Sequence, residues 1–118
     1  EIIKATIDQK LNYLDIDWNN SKSLSIVQCS NGYPENYSNN HEIKNLDKAT
    51  LTKNEFIFHA GTKIDGNKVL SNGGRVLNFV VKSNEFKISR DRAVNLINKV
   101  NWKDGFYRKD IGFKVIDE

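Results

Sequence analysis

Residues Ser71-Asn72-Gly73-Gly74-Arg75-Val76-Leu77-Asn78-Phe79-Val80-Val81-Lys82 set a paired-glycine turn directly against the strongest strand signal in the chain. Valine and phenylalanine fit a pleated, half-buried surface, and two adjacent glycines interrupt regular structure ahead of them. The segment predicts a tight turn of hairpin type feeding a strand over 75–82. Working upstream, Asp65-Gly66 between Lys63-Ile64 and Lys68-Val69-Leu70 predicts a two-residue hairpin. Glu55 to Ala60 reads as another strand, closed by Gly61. Residues 35–54 are polar and loop-like, broken by Ile43 and Leu46. Leu24 to Cys29 predicts a strand with Leu24, Ile26 and Gln28 on one face, ended by Asn31-Gly32-Tyr33-Pro34. At the start, Ile3, Ile7, Leu11 and Leu14 recur at helical spacing, so Ile2 to Leu14 predicts an amphipathic helix. Downstream, Ser89 reads as the N-cap of a helix whose apolar face is Ala93, Leu96, Ile97 and Val100. Asp104-Gly105 breaks that helix, and Phe106 to Ile116 predicts one or two closing strands around Gly112. The order gives an α+β fold with a small antiparallel sheet and two helices.

At 118 residues the chain fits one domain with a real core. A net charge of +3 is too modest to single out nucleic acid or phosphorylated metabolites as the partner. Cys29 is the only cysteine, so no internal disulfide can form, which points to a reducing cytoplasm. The apolar runs are far too short to cross a membrane. No leader pattern precedes them, since the first segment mixes acids with lysines. With no methionine and Glu1 at its start, the chain reads as a piece of a longer polypeptide.

Four segments carry candidate chemistry: Gly32-Tyr33-Pro34, His59-Ala60-Gly61-Thr62, Asn72-Gly73-Gly74-Arg75 and Tyr107-Arg108-Lys109-Asp110-Ile111-Gly112. Paired glycines let the backbone approach a ligand and expose its N–H groups, which suits phosphate or carboxylate. An arginine after such a turn adds a bidentate grip on the same anion. Gly73, Gly74 and Arg75 are the first anion-binding candidates, followed by Arg108 and Lys109, although taken singly Gly73-Gly74 reads first as a hairpin turn and Arg108-Lys109 equally as a solvated strand edge. Asp110 is placed to orient one of these cations, with His59 and Thr62 as supporting polar contacts. His59 lies between Phe58 and Ala60, so a mostly buried, hydrogen-bonded structural role is the simpler reading. Cys29, in an apolar strand, reads as a packing residue. One cysteine and two histidines lack the spacing of a zinc site, and no catalytic nucleophile or nucleoside-triphosphatase phosphate loop is evident.

Taken in order, NGYPENY, FHAGT, SNGGRVLNFVV and GFYRKDIGF resemble the C-terminal domain of the glycinamide ribonucleotide synthetases (phosphoribosylamine–glycine ligases). Gly32, Tyr33, Pro34 and Tyr37 match the first motif of that family, and Phe58 to Thr62 match the second. Asn72 to Leu77 match the third, with Ser71 where threonine is usual, and Arg108, Asp110, Ile111 and Gly112 match the fourth. The resemblance implies a barrel-like domain of the ATP-grasp C-terminal type over residues 21–118. Residues 1–20 would then be the end of the preceding ATP-grasp region. It also implies ATP and Mg²⁺ (or Mn²⁺) as cofactors, bound mainly by regions upstream of Glu1. The implied partners are those upstream domains and small-molecule substrates, with no nucleic acid and no membrane.

Two other readings compete. A related ATP-grasp carboxylase or formyltransferase would need its own motifs, against which FHAGT with NGGRVL speaks. A small nucleic-acid-binding module would need exposed aromatics and a basic stripe. Phe56, Phe58, Phe79 and Phe106 instead sit in apolar alternation as expected for core, and the cations are interleaved with acids.

Overall fold

The computed structural model describes residues 1–116. Seven strands run in chain order: β1 (Lys22–Ser30), β2 (Glu42–Ile43), β3 (Glu55–His59), β4 (Thr62–Asp65), β5 (Lys68–Ser71), β6 (Arg75–Ser83) and β7 (Gly105–Phe106). Three helices accompany them: α1 (Ile2–Ile7), α2 (Phe86–Lys99) and α3 (Phe113–Ile116), with a 3₁₀ turn at Leu11–Tyr13. The strands form two antiparallel sheets, of order β3-β6-β1-β7 and β2-β5-β4. The α+β class is as read from the sequence. Among the described residues the two sheets are open where a barrel-like arrangement was expected, and the helices number three rather than two.

The core follows from side-chain alternation along β1 and β6. Leu24, Ile26 and Gln28 lie opposite Val81, Phe79 and Leu77, and paired residues of an antiparallel ladder share a face. That face is covered by α2, which buries Ser89, Ala93, Leu96 and Ile97 against it. Ile26, Leu77, Phe79 and Leu96 are almost wholly inaccessible to solvent.

Several local expectations fail for identifiable reasons. The helix over 2–14 stops at Ile7, where Gln9 takes φ of 55° and the chain re-enters as a 3₁₀ turn. Its apolar residues find no partner: Ile3 is 78% exposed and Ile7 76%. The turn at Ser71–Gly74 is not a hairpin, because β5 and β6 belong to different sheets and the glycines carry the chain between them. The β4–β5 hairpin does form, but Asp65 pairs with Lys68, so its loop is Gly66-Asn67, one residue later than expected. Gly66 there has φ of 56°, and a side chain at that point would meet nothing within 4 Å.

Ser89 does not cap α2. The helix begins at Phe86, and Ser83 fixes the turn before it by accepting from Glu85 N–H and donating to the Glu85 carbonyl. Ser89 is buried one turn inside, its hydroxyl 2.8 Å from that of Ser83. The polar loop 35–54 hides β2, whose Ile43 is buried against the core. Phe106–Ile116 holds only the two-residue β7 and then α3, since Gly112 (φ 84°) turns the chain into a helix instead of a strand. Of the four phenylalanines read as core, only Phe79 is. Phe58 is 53% exposed, and Phe56 and Phe106 also reach solvent, because they alternate onto the face opposite α2.

Phe79 lies at the centre of this arrangement, between β1, β3 and α2. Phe79→Ala is expected to destabilise the fold by about 3–5 kcal/mol, read as a fall in the midpoint of urea unfolding with an unchanged slope. Phe58→Ala, on the open face, is expected to cost well under half of that in the same titration.

Candidate functional site

Three of the four motif segments meet at one end of the four-stranded sheet, where β3 ends, β6 begins and β1 runs out. Ladder bonding continues past the named strands there: Ala60 N–H donates to the Val76 carbonyl at 3.0 Å, and Gly61 N–H donates to that of Arg75 at 3.0 Å. Asn72 N–H closes the loop by donating to the Gly61 carbonyl at 2.8 Å. These bonds press Gly61 against Gly73. A Cβ on Gly61 would lie 2.7 Å from the Arg75 carbonyl oxygen and 3.1 Å from the Gly73 Cα. Backbone packed this closely admits only glycine.

Ser30 ties β1 into the same junction. Its N–H donates to the Gly74 carbonyl and its Oγ to the Gly73 carbonyl, both at 2.8 Å. The hydroxyl is fully buried, so both glycine carbonyls are held from inside the fold. The Tyr33 ring lies over Gly74, where any Cβ would overlap it, and Tyr37 packs against Tyr33 with ring centroids 5.9 Å apart. The Gly-Tyr-Pro segment thus covers the paired glycines, while the His-Ala-Gly-Thr segment underlies them. His59 Nδ1 and Thr62 Oγ1 are hydrogen-bonded at 3.0 Å across the bend. This pair is exposed, so the expectation of a mostly buried His59 does not hold: β3 is an edge strand and its end projects beyond α2.

Arg75 leaves the junction as the first residue of β6, exposed, opposite Cys29. Among the described residues its guanidinium makes no ion pair and no side-chain hydrogen bond. Burial raises the Cys29 thiol pKa, and the nearby positive charge of Arg75 partly offsets that. Cys29 also lines a mostly apolar cavity of about 350 Å³ with Val27, Tyr33, Phe106, Tyr107 and Arg108. The reading of Cys29 as a packing residue is therefore half right, since one side of it faces this hollow.

The fourth segment approaches from β7. Arg108 borders the same cavity but is already engaged, its Nε 3.1 Å and Nη2 2.6 Å from the two Asp110 carboxylate oxygens. The pairing raises the Arg108 pKa and lowers that of Asp110. Both groups are solvent-exposed, so the fork orients Arg108 more than it stabilises the fold. Lys109 does not join this group. It lines a separate hollow of about 390 Å³ with Gln28, Asn98 and Trp102, beside the C-terminal end of α2.

Arg90 is the structural contributor that sequence reasoning missed. From α2 its Nε donates to the Ile111 carbonyl at 3.1 Å and its Nη2 to the Lys109 carbonyl, clamping the segment that carries Arg108 and Asp110. Nothing local marks it among the other charges of the helix. Ser30 was within reach, since alternation from Leu24 through Gln28 points it inward.

The sequence model of the family "Phosphoribosylglycinamide synthetase, C domain" matches residues 23–114. The phosphoribosylamine–glycine ligase of Caldanaerobacter subterraneus subsp. tengcongensis is 36% identical over 111 residues, covering 94% of this chain and 26% of that protein. The chloroplastic phosphoribosylamine–glycine ligase of Arabidopsis thaliana is 34% identical, covering 98% of this chain and 22% of that one. The crystal structure of the Thermotoga maritima phosphoribosylamine–glycine ligase superposes with a TM-score of 0.71 at 25% identity, over 95% of this chain and 28% of that chain. The architecture is that of a phosphoribosylglycinamide synthetase C domain. The chain belongs to the phosphoribosylglycinamide synthetase C-domain family. It spans about a quarter of the length of these relatives.

The glycine junction makes its own prediction. Gly74→Val should be destabilising by about 1–3 kcal/mol, because the new side chain must displace the Tyr33 ring. Combined with Tyr33→Ala, Gly74→Val should cost clearly less than the sum of the two single changes. Thermal melts of the four proteins of this double-mutant cycle measure the coupling.

Proposed function

We propose that this chain forms one wall of the active site of a phosphoribosylamine–glycine ligase, an ATP-dependent enzyme of purine biosynthesis. It would contribute anion-binding residues and not the chemical step itself. The observation that carries the reading is the junction of Gly61, Gly73 and Gly74 with an unpaired, exposed Arg75 mounted on it. Rigid mounting matters because a planar guanidinium gains from a carboxylate or phosphate only when both forks meet the anion together.

In the proposed reaction the carboxylate of glycine takes the γ-phosphoryl group of ATP, giving an acyl phosphate and ADP. The amine of 5-phosphoribosylamine attacks the acyl carbon, and phosphate leaves as glycinamide ribonucleotide forms. Each step gathers several negative charges in one place, so positioning and neutralisation dominate the catalytic task. Arg75 is assigned to one of the substrate anions, with Gly73 and Gly74 keeping the backbone close to it. Arg108, held by Asp110, is the second cation, at the cavity lined also by Cys29 and Tyr33. His59 and Thr62 supply a polar edge beside Gly61. Lys109 is the weakest of the candidates, since it opens on a different hollow.

Among the described residues no group of three or more His, Cys, Asp or Glu side chains is placed to hold a metal ion, and no step is assigned to a metal here. The reading leaves ATP and Mg²⁺ (or Mn²⁺) to the upstream regions of the longer polypeptide, which are also this chain's proposed partners. The cytoplasm is the proposed location, on the absence of any disulfide partner for Cys29. No helix among the described residues is long and apolar enough to cross a membrane.

Two measurements test this. In the complete polypeptide, Arg75→Ala should lower kcat/KM about ten- to a hundredfold, corresponding to roughly 1.5–3 kcal/mol per charge-assisted hydrogen bond, with little change in melting temperature. Arg75→Lys should recover only part, because it keeps the charge and loses the fork. Unchanged efficiency in Arg75→Ala would remove Arg75 from the site. The 118-residue chain alone, given ATP, glycine and phosphoribosylamine, should form no product above background. Robust turnover by it would refute the assignment of the chemistry to upstream regions.

A further inference from the structure

Resting on the ligase reading, we propose that the face of the four-stranded sheet turned away from α2 is the surface on which the upstream part of the same polypeptide docks. The alternation that buries Leu24, Ile26 and Phe79 sends a second set of side chains to the other side. Register places Phe56 and Phe58 of β3, Val80 and Asn78 of β6, and Val27 and Cys29 of β1 there, with Phe106 of β7 opposite Cys29. These residues form a strip across all four strands. Phe56 and Phe58 stack at 5.8 Å with planes 8° apart, and the 350 Å³ apolar cavity continues the strip toward Tyr33 and Ile111. Single exposed apolar residues need no explanation, but a largely apolar strip that crosses all four strands, with phenylalanines on both edge strands, marks an interaction surface.

Size and chemistry select the occupant. Four strands spaced about 4.8 Å apart and averaging about six residues present roughly 400 Å², within the span of one side of an inter-domain interface. Relatives that match almost all of this chain carry about three-quarters of their length outside the matched segment, so each supplies a large intramolecular partner. Arg75 and Lys82 of β6 lie on the side of this strip, whereas Arg108 is already paired with Asp110, and the two cations left unpaired among the described residues favour a docking surface that presents carboxylates. Arg75 and the junction border this face. Docking there would therefore bring the proposed anion site against the regions assigned to ATP.

The test is thiol labelling in the complete polypeptide, with modified peptides resolved by mass. In a Cys29→Ser background, Ser25→Cys reports on the strip, because Ser25 is exposed on that face and lines its cavity. Asn95→Cys, exposed on α2, is the reference. Ser25→Cys should label at least roughly tenfold more slowly than Asn95→Cys. Phe58→Ser, alone or with Phe56→Ser, should restore fast labelling while circular dichroism stays unchanged. Equal rates at the two positions would overturn the proposal. So would protection that fades on dilution, which would identify a second copy of the chain as the occupant. Ligase activity measured on the same sample separates the two ideas. Fast labelling with full turnover rejects the docking surface alone, whereas slow labelling without turnover supports it while rejecting the ligase reading.

Discussion

Because β1 and β6 pair along nearly their whole length, the rest of the four-stranded sheet and α2 take their places from them. Their register sets Ile26 opposite Phe79 and Leu24 opposite Val81, giving α2 one continuous apolar surface to cover. β3 adds to the far side of β6 through the same alternation, and β7 extends β1 at Cys29 and Ser30. A one-residue slip in this ladder would turn Phe79 outward and put Val80 beneath the helix, exchanging core for surface along both strands. The irregularity between Gln28 and Cys29 is confined to the end of the ladder, next to the glycine junction. There the sheet stops being a repetitive scaffold and becomes a set of specific backbone contacts.

That boundary explains what the sequence made legible. Long strands with strict alternation were read within a residue or two, as for β1 and β6, because burial of one face imposes a period that composition reveals. Helix α2 was read from Ala93, Leu96 and Ile97, although its first residue was misplaced: serine is a good cap in general, but here the helix starts without a side-chain cap, Ser83 fixes the turn before it and Ser89 is needed inside. The shortest elements were lost. β2 is fixed by Ile43 dropping into a core built by residues far along the chain, and no local pattern announces that.

The candidate site shows the same division. Glycine pairs announced that something unusual happens at Gly73 and Gly74, yet a hairpin was the economical local reading. The actual cause is non-local: Gly61 and Tyr33 arrive from two other segments and leave no room for a side chain. Arg108 and Lys109, adjacent in sequence, border different hollows, because a turn begins at Lys109. Arg90 acts through carbonyls from nineteen and twenty-one residues away, which residue types alone do not encode.

The tip of the β4–β5 hairpin differs from all of this in its freedom. Gly66 turns with open space around it, at the outer end of the smaller sheet, away from the cavity beside the junction. A side chain at Gly66 meets no atoms within 4 Å, and closing a longer loop costs little entropy. That corner is consequently the natural attachment point on the domain: a fluorophore, an affinity tag or an inserted peptide placed between Asp65 and Lys68 would leave the glycine junction, α2 and the open aromatic face as they are.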